Sequence, residues 1–161
     1  ITNIKEIVKL AKEYNLLVIA DNTFMSPFLQ RPLELGCDIV VHSATKFLNG
    51  HSDVVAGLVV AKNKELADRI YFVQNAFGAV LGPQDSWLIL RRIKTLKVRM
   101  LYQEKSAEEL AKWLLLNSFV TSVYYPGLPS HFGREIYFLQ ADGPGAVLSF
   151  ETYTIERAKI S

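Results

Sequence analysis

Cysteine is almost absent from this sequence of 161 residues, and long apolar runs are missing altogether. The single cysteine, Cys37, cannot form a disulfide within the chain, which suits a reducing compartment. The longest apolar stretches, such as residues 16–20 and 57–61, are far shorter than the roughly 20 residues that a transmembrane helix needs. We therefore expect a cytoplasmic protein with no membrane partner, in which Cys37 is a small buried side chain.

An excess of charge is missing too, because 18 basic residues nearly balance 16 acidic ones. No dense basic cluster offers a surface for nucleic acid or an anionic membrane, and we expect neither as a partner. The three histidines are not accompanied by cysteine or acidic residues at zinc spacing, so we expect no metal site. The glycine-rich phosphate signatures G-x-G-x-x-G and G-x-x-x-x-G-K-[ST] are absent, which disfavours a nucleotide-binding module.

What the sequence does contain is a pair of apolar runs that end in polar residues. Residues 17–20 are followed by Asp-Asn-Thr at 21–23, and residues 39–41 are followed by His-Ser-Ala-Thr-Lys at 42–46. Apolar runs of this length and β-branched content are typical of buried strands in a parallel sheet. The pattern therefore predicts two strands that deliver an acid, a lysine and two hydroxyls to one site.

These side chains are the ones that a pyridoxal phosphate (PLP) site needs. Lys46 can carry the aldehyde of PLP as a Schiff base and can later move protons as a general acid and base. Asp21 can pair with the pyridine nitrogen, and Ser43 and Thr45 can hold the phosphate. Taken singly, Asp21 fits a turn cap equally well, and Lys46 fits a lysine that extends to solvent.

The remaining histidines near these runs have simpler interpretations. His42 fits a histidine packed at the end of a strand, and His51 fits a residue that stabilises a loop near the site. His131 carries no clear signal. None of the three is predicted to be catalytic.

The order of predicted elements indicates an α/β fold with layers of helices on a sheet. Helical spacing continues from residue 84 past residue 110, which predicts one long helix. We place a domain boundary inside or beside that helix, near Val98, with one unit over residues 1–97 and another over 98–161. The predicted elements are a helix at 4–14, strands at 16–20, 39–42 and 55–60, a helix at 64–75, and a strand at 147–151 that opens a second sheet.

The sequence resembles the Cys/Met-metabolism family of PLP enzymes, which includes cystathionine β-lyases, γ-synthases and γ-lyases and methionine γ-lyases. The matching motifs follow the family's order across nearly the whole chain. They lie at residues 20–24, 42–47, 50–57, 82–86, 94–96, 125–128 and 148–151.

The resemblance implies a fold and a set of roles. Lys46 is the PLP lysine, Asp21 the partner of the pyridine nitrogen, and Ser43 and Thr45 are phosphate ligands. The fold is that of fold-type I PLP-dependent transferases, with the end of the large PLP-binding domain at 1–97 and the beginning of a smaller C-terminal α/β domain at 98–161. Family members assemble as dimers of dimers, so we expect a homotetramer.

The resemblance also implies an activity in methionine biosynthesis and transsulfuration. Residues 72–87 look most like bacterial cystathionine β-lyases and their γ-synthase relatives. We therefore expect cleavage of cystathionine, a small sulfur amino acid, to homocysteine, pyruvate and ammonia. Cystathionine γ-synthase, cystathionine γ-lyase and methionine γ-lyase are alternatives, as is a non-catalytic module. Several family features, including the glycine-rich phosphate loop and the substrate-binding arginine, fall outside residues 1–161, so we expect the chain alone to be inactive.

Overall fold

Eleven helices and strands follow one another in residues 1–154, the part of the chain that this computed structural model describes. The helices are α1 Ile4–Glu13, α2 Ser26–Leu29, α3 Lys64–Phe77, α4 Pro83–Ile93, α5 Leu96–Leu115 and α6 Arg134–Phe138. The strands are β1 Ile19–Asp21, β2 Ile39–Ser43, β3 Gly57–Ala61, β4 Val120–Tyr124 and β5 Ser149–Thr152. Side-chain caps from Asn3 and Asn63 begin α1 and α3, each by accepting a backbone N–H three residues later.

The first three strands form one sheet in the order β1-β2-β3. β1 and β2 are parallel, with Asp21 opposite Val41, whereas β3 runs antiparallel to β2, with Gly57 opposite Ser43. The parallel pairing of the first two strands confirms the prediction from their apolar runs. The expected full burial of the first strand is wrong, because Ile19 is 59% exposed on the outer edge of the sheet.

The long helix predicted from residue 84 is interrupted. α4 ends at Ile93 and α5 begins at Leu96, because the hydroxyl of Thr95 donates to the carbonyl of Arg92 at 3.0 Å and competes with the helical ladder. Apolar spacing continues across this break, so the pattern did not reveal it. The predicted boundary between residues 97 and 98 falls in the first turn of α5 and stays a prediction.

A second sheet consists of β4 and β5, which pair antiparallel. The strand predicted at 147–151 is present as β5, but it is the second strand of this sheet, since β4 precedes it. α5 packs against this sheet at one end and against the first core at the other. The first core contains Leu29, Ala44, Leu48, Val54, Ile89, Leu96 and Met100, and the second contains Ala107, Ala111, Tyr125 and Leu128.

The helices of residues 1–154 include none that is both long and apolar enough to cross a membrane. Cys37 is fully buried as predicted, and burial raises the pKa of its thiol, so the sulfur stays protonated.

Candidate cofactor site

The carboxyl ends of β1 and β2 lie side by side because the two strands are parallel neighbours. In open α/β sheets, ligands bind at this edge of the sheet. A cleft of about 480 Å³ opens here. Its lining contains Asp21, Ser43 and Lys46, together with Asn22, Thr23, Phe24, Met25 and Gln30.

Thr23 joins the two strand ends. Its hydroxyl donates to Asp21 Oδ1 at 2.6 Å, and its backbone N–H donates to the same oxygen at 3.0 Å. The hydroxyl oxygen also accepts the backbone N–H of Ser43 at 2.8 Å. One buried threonine therefore holds the acid of β1 against the end of β2. Sequence reasoning missed this role, although an aspartate followed two residues later by threonine is a known turn pattern.

The hydrogen bonds from Thr23 hold the pKa of the Asp21 carboxyl below its usual value, with the hydroxyl bond contributing most. Partial burial of the carboxyl acts in the opposite direction, and nearby His42 lowers the pKa slightly. Both bonds from Thr23 end on Oδ1, so Oδ2 stays available. Asp21 is thus an ionised carboxylate with one free oxygen, which suits pairing with a protonated ring nitrogen.

Asn22 fixes the loop that forms one wall of the cleft. The side chain is 2% exposed, and its amide Nδ2 donates to the carbonyls of Ser26 at 3.1 Å and Gln30 at 2.8 Å. Gln30 in turn donates to the carbonyl of Gln140 at 3.1 Å. The wall is therefore held both from within the loop and from the C-terminal part of the chain.

Lys46 lies in the turn that follows β2, and its backbone N–H donates to the carbonyl of Ser43 at 3.1 Å. Its side chain is exposed, and within residues 1–154 its ammonium forms neither an ion pair nor a hydrogen bond. A lysine that borders a cleft without a partner has its amine free to bond a ligand.

The two predicted phosphate ligands differ in their contacts. Ser43 lines the cleft. Thr45 does not line it, because its hydroxyl donates to the carbonyl of Ala56 at 3.3 Å and accepts the N–H of Ala56 at 3.0 Å. Thr45 thus ties the turn at Lys46 to the segment before β3. The lining of the cleft therefore includes Asp21, Ser43 and Lys46 but not Thr45.

His42 and His51 follow the structural roles predicted for them, and neither is among the residues that line the cleft. His42 is buried, and burial lowers the pKa of its imidazole, while its Nδ1 has no hydrogen-bond partner within the described residues. His51 Nδ1 lies 2.8 Å from the carbonyl of Asn49, a contact that fits the predicted loop-stabilising role. Residues 1–154 contain no group of three or more His, Cys, Asp or Glu side chains arranged to share a metal ion.

PLP fits the donor set of this cleft. The aldehyde of PLP requires a free amine, the ring nitrogen an ionised carboxylate, and the phosphate hydroxyl or N–H donors. Lys46, Asp21 and Ser43 provide these groups.

The fold agrees with this interpretation, since the chain superimposes on solved fold-type I enzymes. A cystathionine gamma synthase from Xanthomonas oryzae pv. oryzae, solved in complex with cystathionine, has a TM-score of 0.94 and 42% identity and is matched over 98% of this chain and 41% of its own. A cystathionine gamma-lyase from Lactobacillus plantarum, solved with L-serine, has a TM-score of 0.92 and 48% identity over 94% and 40%. The fold is therefore that of the fold-type I PLP-dependent enzymes, in partial form.

The chain belongs to the Cys/Met metabolism PLP-dependent enzyme family, whose model matches residues 1–160. Cystathionine beta-lyase MetC from Bacillus subtilis (strain 168) is 55% identical over 159 residues, which are 99% of this chain and 41% of that protein. A cystathionine gamma-lyase from the same organism is 49% identical over 98% of this chain and 41% of its own length. The chain thus spans about two fifths of the length of the curated relatives it matches. The family resemblance inferred from the motifs is confirmed.

Proposed function

We propose that the protein is a carbon–sulfur lyase that cleaves cystathionine to homocysteine, pyruvate and ammonia. The observation that carries the proposal is the shared cleft of Lys46 and Asp21, with a lysine amine that has no partner and a carboxylate kept ionised by Thr23. The identity of 55% and 54% to β-lyases from Bacillus subtilis and Lactococcus lactis, against 49% to the γ-lyase from Bacillus subtilis, supports β-elimination.

The chain's own residues would divide the work as follows. PLP, when bound, supplies an electron sink for negative charge that develops at the substrate Cα. Lys46 would hold the cofactor covalently and, once its Nζ is released, take the proton from Cα and return protons later in the reaction. Asp21 Oδ2 would keep the ring nitrogen protonated, because a nearby opposite charge favours the charged form.

The phosphate would bind at the turn after β2. Ser43, which lines the cleft, would provide one hydroxyl donor. Thr45 would serve as a second donor by rotating its hydroxyl hydrogen away from the long 3.3 Å bond to Ala56. Its bond from the Ala56 N–H would remain.

Covalent attachment at Lys46 is directly measurable. We expect incubation with PLP, reduction with borohydride and mass analysis of peptides to place the label on Lys46, with none in Lys46→Ala. Lys97→Ala, which removes an exposed lysine of α5, is the matched control and should keep the label. Labelling spread evenly over several lysines would refute the assignment.

The reaction type requires a substrate assay. In a chimera, this chain would replace the segment that it matches in the Bacillus subtilis β-lyase MetC. We expect pyruvate from cystathionine, whereas 2-oxobutyrate as the main keto acid would indicate γ-elimination and favour the γ-lyase alternative. The chain alone, assayed in parallel, is expected to show no turnover.

The same proposal includes a location and an assembly. A homotetramer, formed as a dimer of dimers, follows from the family resemblance, and light scattering of the chimera would measure it. A cytoplasmic location suits the single, buried Cys37, and fractionation of the source cells would test it.

A further inference from the structure

Backbone hydrogen bonds within the turn that carries Lys46 satisfy only some of its main-chain groups. The N–H of Asn49 donates to the carbonyl of Ala44 at 2.9 Å, and the N–H of Gly50 donates to the carbonyl of Lys46 at 2.7 Å. The carbonyls of Phe47 and Leu48 point the other way and need donors from outside the turn. A backbone carbonyl without a partner is costly inside a protein, so the identity of those donors matters.

Arg99, from the first turn of α5, provides the donors. Its Nη1 donates to the carbonyl of Phe47 at 2.7 Å, and its Nη2 donates to the carbonyl of Leu48 at 3.2 Å. Nη2 is shared with the carbonyl of Arg92 at 3.2 Å. The remaining nitrogen, Nε, donates to the hydroxyl of Thr95 at 3.1 Å. One guanidinium therefore joins the turn after β2 to the break between α4 and α5.

The environment of Arg99 shows that this contact is built into the fold. The guanidinium is partly buried, and this burial, together with the charge of Arg92, lowers its pKa. No acidic side chain pairs with it in the described part of the chain, so backbone carbonyls receive its positive charge. Charge-assisted bonds of this kind are stronger than neutral ones.

Gly50 makes room for this guanidinium. Gly50 has φ of +70°, and a Cβ added there would overlap Nη1 of Arg99 and lie 2.8 Å from its Cζ. Since Nη1 and Nη2 are both bonded to the turn, the guanidinium cannot swing away without losing those bonds. The turn and the arginine are thus mutually fitted.

We propose that Arg99 is a positioning residue that fixes the turn at residues 44–50 and thereby the direction in which Lys46 enters the cleft. The inference rests on the proposed function, because it matters only if Lys46 binds PLP. Within residues 1–154 the lysine ammonium has no hydrogen bond or ion pair that would orient it. Its placement therefore depends on the backbone of the turn, which Arg99 holds through the carbonyls of Phe47 and Leu48.

A lysine at position 99 would keep the positive charge but could not hold the turn with the same set of hydrogen bonds. The guanidinium bonds its partners through three nitrogens in a fixed plane, whereas an ammonium is a single point on a flexible stem. Arg99→Lys therefore separates geometry from charge, and Arg99→Met removes both.

Amide hydrogen exchange tests, without any cofactor, whether Arg99 fixes the turn at residues 44–50. In the full 161-residue chain, we expect the amides of Asn49 and Gly50 to exchange roughly tenfold faster in Arg99→Lys and Arg99→Met than in the unmodified chain. Arg69→Lys, which alters an exposed arginine of α3, is the matched control and should change neither amide. Unchanged exchange in both Arg99 variants would overturn the proposal.

Labelling with PLP and borohydride then tests the effect on Lys46. We expect Arg99→Lys to slow labelling of Lys46 by roughly tenfold relative to the unmodified chain, whereas Arg69→Lys should label at the unmodified rate. Faster amide exchange with unchanged labelling of Lys46 would overturn the positioning role and leave a structural one. If the unmodified chain were not labelled at Lys46, the proposed function would fail and the role toward the cofactor with it, even where the exchange result held.

A variant at Gly50 tests the same contact from the turn, and it keeps the proposal testable if the Arg99 variants misfold. Gly50→Ala should accelerate exchange at Asn49 more than Gly78→Ala accelerates exchange at Ala79, because the two glycines share a positive φ but only Gly50 has a neighbour at its Cβ position. The excess should vanish in an Arg99→Ala background. An excess that persisted there would overturn the fit between Gly50 and Arg99.

Discussion

The strand-end region, residues 21–30 and 42–50, and the outer face, formed by β3 and α3 at residues 57–77, are built in opposite ways. The strand-end region buries polar side chains, such as Asn22 and Asn49 at 2% and 0% exposure. The Nδ2 of each donates a hydrogen bond, whereas the Oδ1 of each has no partner within residues 1–154. The outer face exposes apolar side chains, with Val59 at 50% and Phe72 at 73%. Of the residues in α3, Leu66 alone is buried.

The contrast shows which part of the chain determines the site. Ala44 and Leu48, from the turn beside Lys46, pack into the same core as Met100 of α5. The N–H of Asp142 donates to the carbonyl of Leu29 at 2.8 Å, so the C-terminal part also supports the wall of the cleft. The outer face borders a groove and contributes little to this core or to the wall of the cleft. The stability of the chain and the geometry of the cleft therefore depend on the same packed elements.

The largest expected difference between the two regions concerns apolar truncation. Met100→Ala should lower the free energy of unfolding by about 2–5 kcal/mol, because the side chain is fully buried and leaves a cavity. Val73→Ala, on the outer face at 51% exposure, should cost less than about 0.5 kcal/mol. Urea unfolding monitored by circular dichroism measures both. Similar losses for the two variants would show that the outer face is covered in solution.

The next difference concerns asparagines. Asn22→Ala should cost about 1–3 kcal/mol, because it removes the buried side-chain donor to the carbonyl of Gln30 and one of the two donors to the carbonyl of Ser26. Asn63→Ala, which removes only the cap of α3, should cost about 1 kcal/mol. The decisive measurement is PLP labelling at Lys46 beside thermal unfolding. Asn22→Ala should reduce labelling and Asn63→Ala should not, and the reverse order would contradict the assignment of the wall.

Much of the fold was predictable because local pattern and tertiary structure agree. The strands before Asp21 and at 39–43 follow from apolar β-branched runs, and α1 and α3 agree with the helices predicted at 4–14 and 64–75. α2 was missed because its first residue, Ser26, has φ of +58° and is followed by proline, which reads as a loop. α6 and β4 are short, and no single residue in them signals the packing that fixes them.

The site was predictable for the side chains that the strand ends bring together. It was not predictable for the side chains that act by hydrogen bonding to distant main-chain groups. Asp21, Ser43 and Lys46 reach one cleft because parallel strands deliver their ends to one edge. Thr23 acts through hydrogen bonds to the Asp21 carboxylate and from the Ser43 N–H, and Arg99 acts mainly through hydrogen bonds to main-chain carbonyls. Arg99 meets carbonyls 51 and 52 residues away, and no spacing of side-chain types encodes such a contact.

A smaller effect is expected at the junction of α5 with the C-terminal part. Burial raises the pKa of Glu104 above its ordinary value of 4.5, although its Oε1 accepts the N–H of Gly145 at 3.0 Å. A carboxyl whose pKa is higher in the folded state favours folding when protonated. Its ionisation therefore costs stability as the pH rises above about 4.5, until the pH passes the raised folded pKa.

Glu104→Gln removes that cost and keeps an oxygen for Gly145. The variant should be more stable than the unmodified chain at pH 7, and the difference should shrink to near zero below about pH 4. Unfolding curves between pH 3 and pH 8 measure it. Glu135→Gln, at an exposed position of α6, should show no such trend. A difference that grew toward acid pH would have the wrong sign for this mechanism.

We expect the smallest effect on stability from Phe72→Ser, and this variant also tests whether the outer face drives self-association. The ring is 73% exposed, so its loss should change the free energy of unfolding by no more than about 0.5 kcal/mol. Phe72 nevertheless borders one groove together with Leu58 and Val59, and contiguous apolar surface favours association. Phe72→Ser should therefore reduce self-association in sedimentation experiments, whereas Leu116→Ser, at an 87% exposed position beyond the end of α5, should not. Equal effects of the two variants would mean that exposed apolar area in general, and not the outer face, drives association. A large loss of stability in Phe72→Ser would instead mean that this face is already covered, and the contrast with the strand-end region would fail.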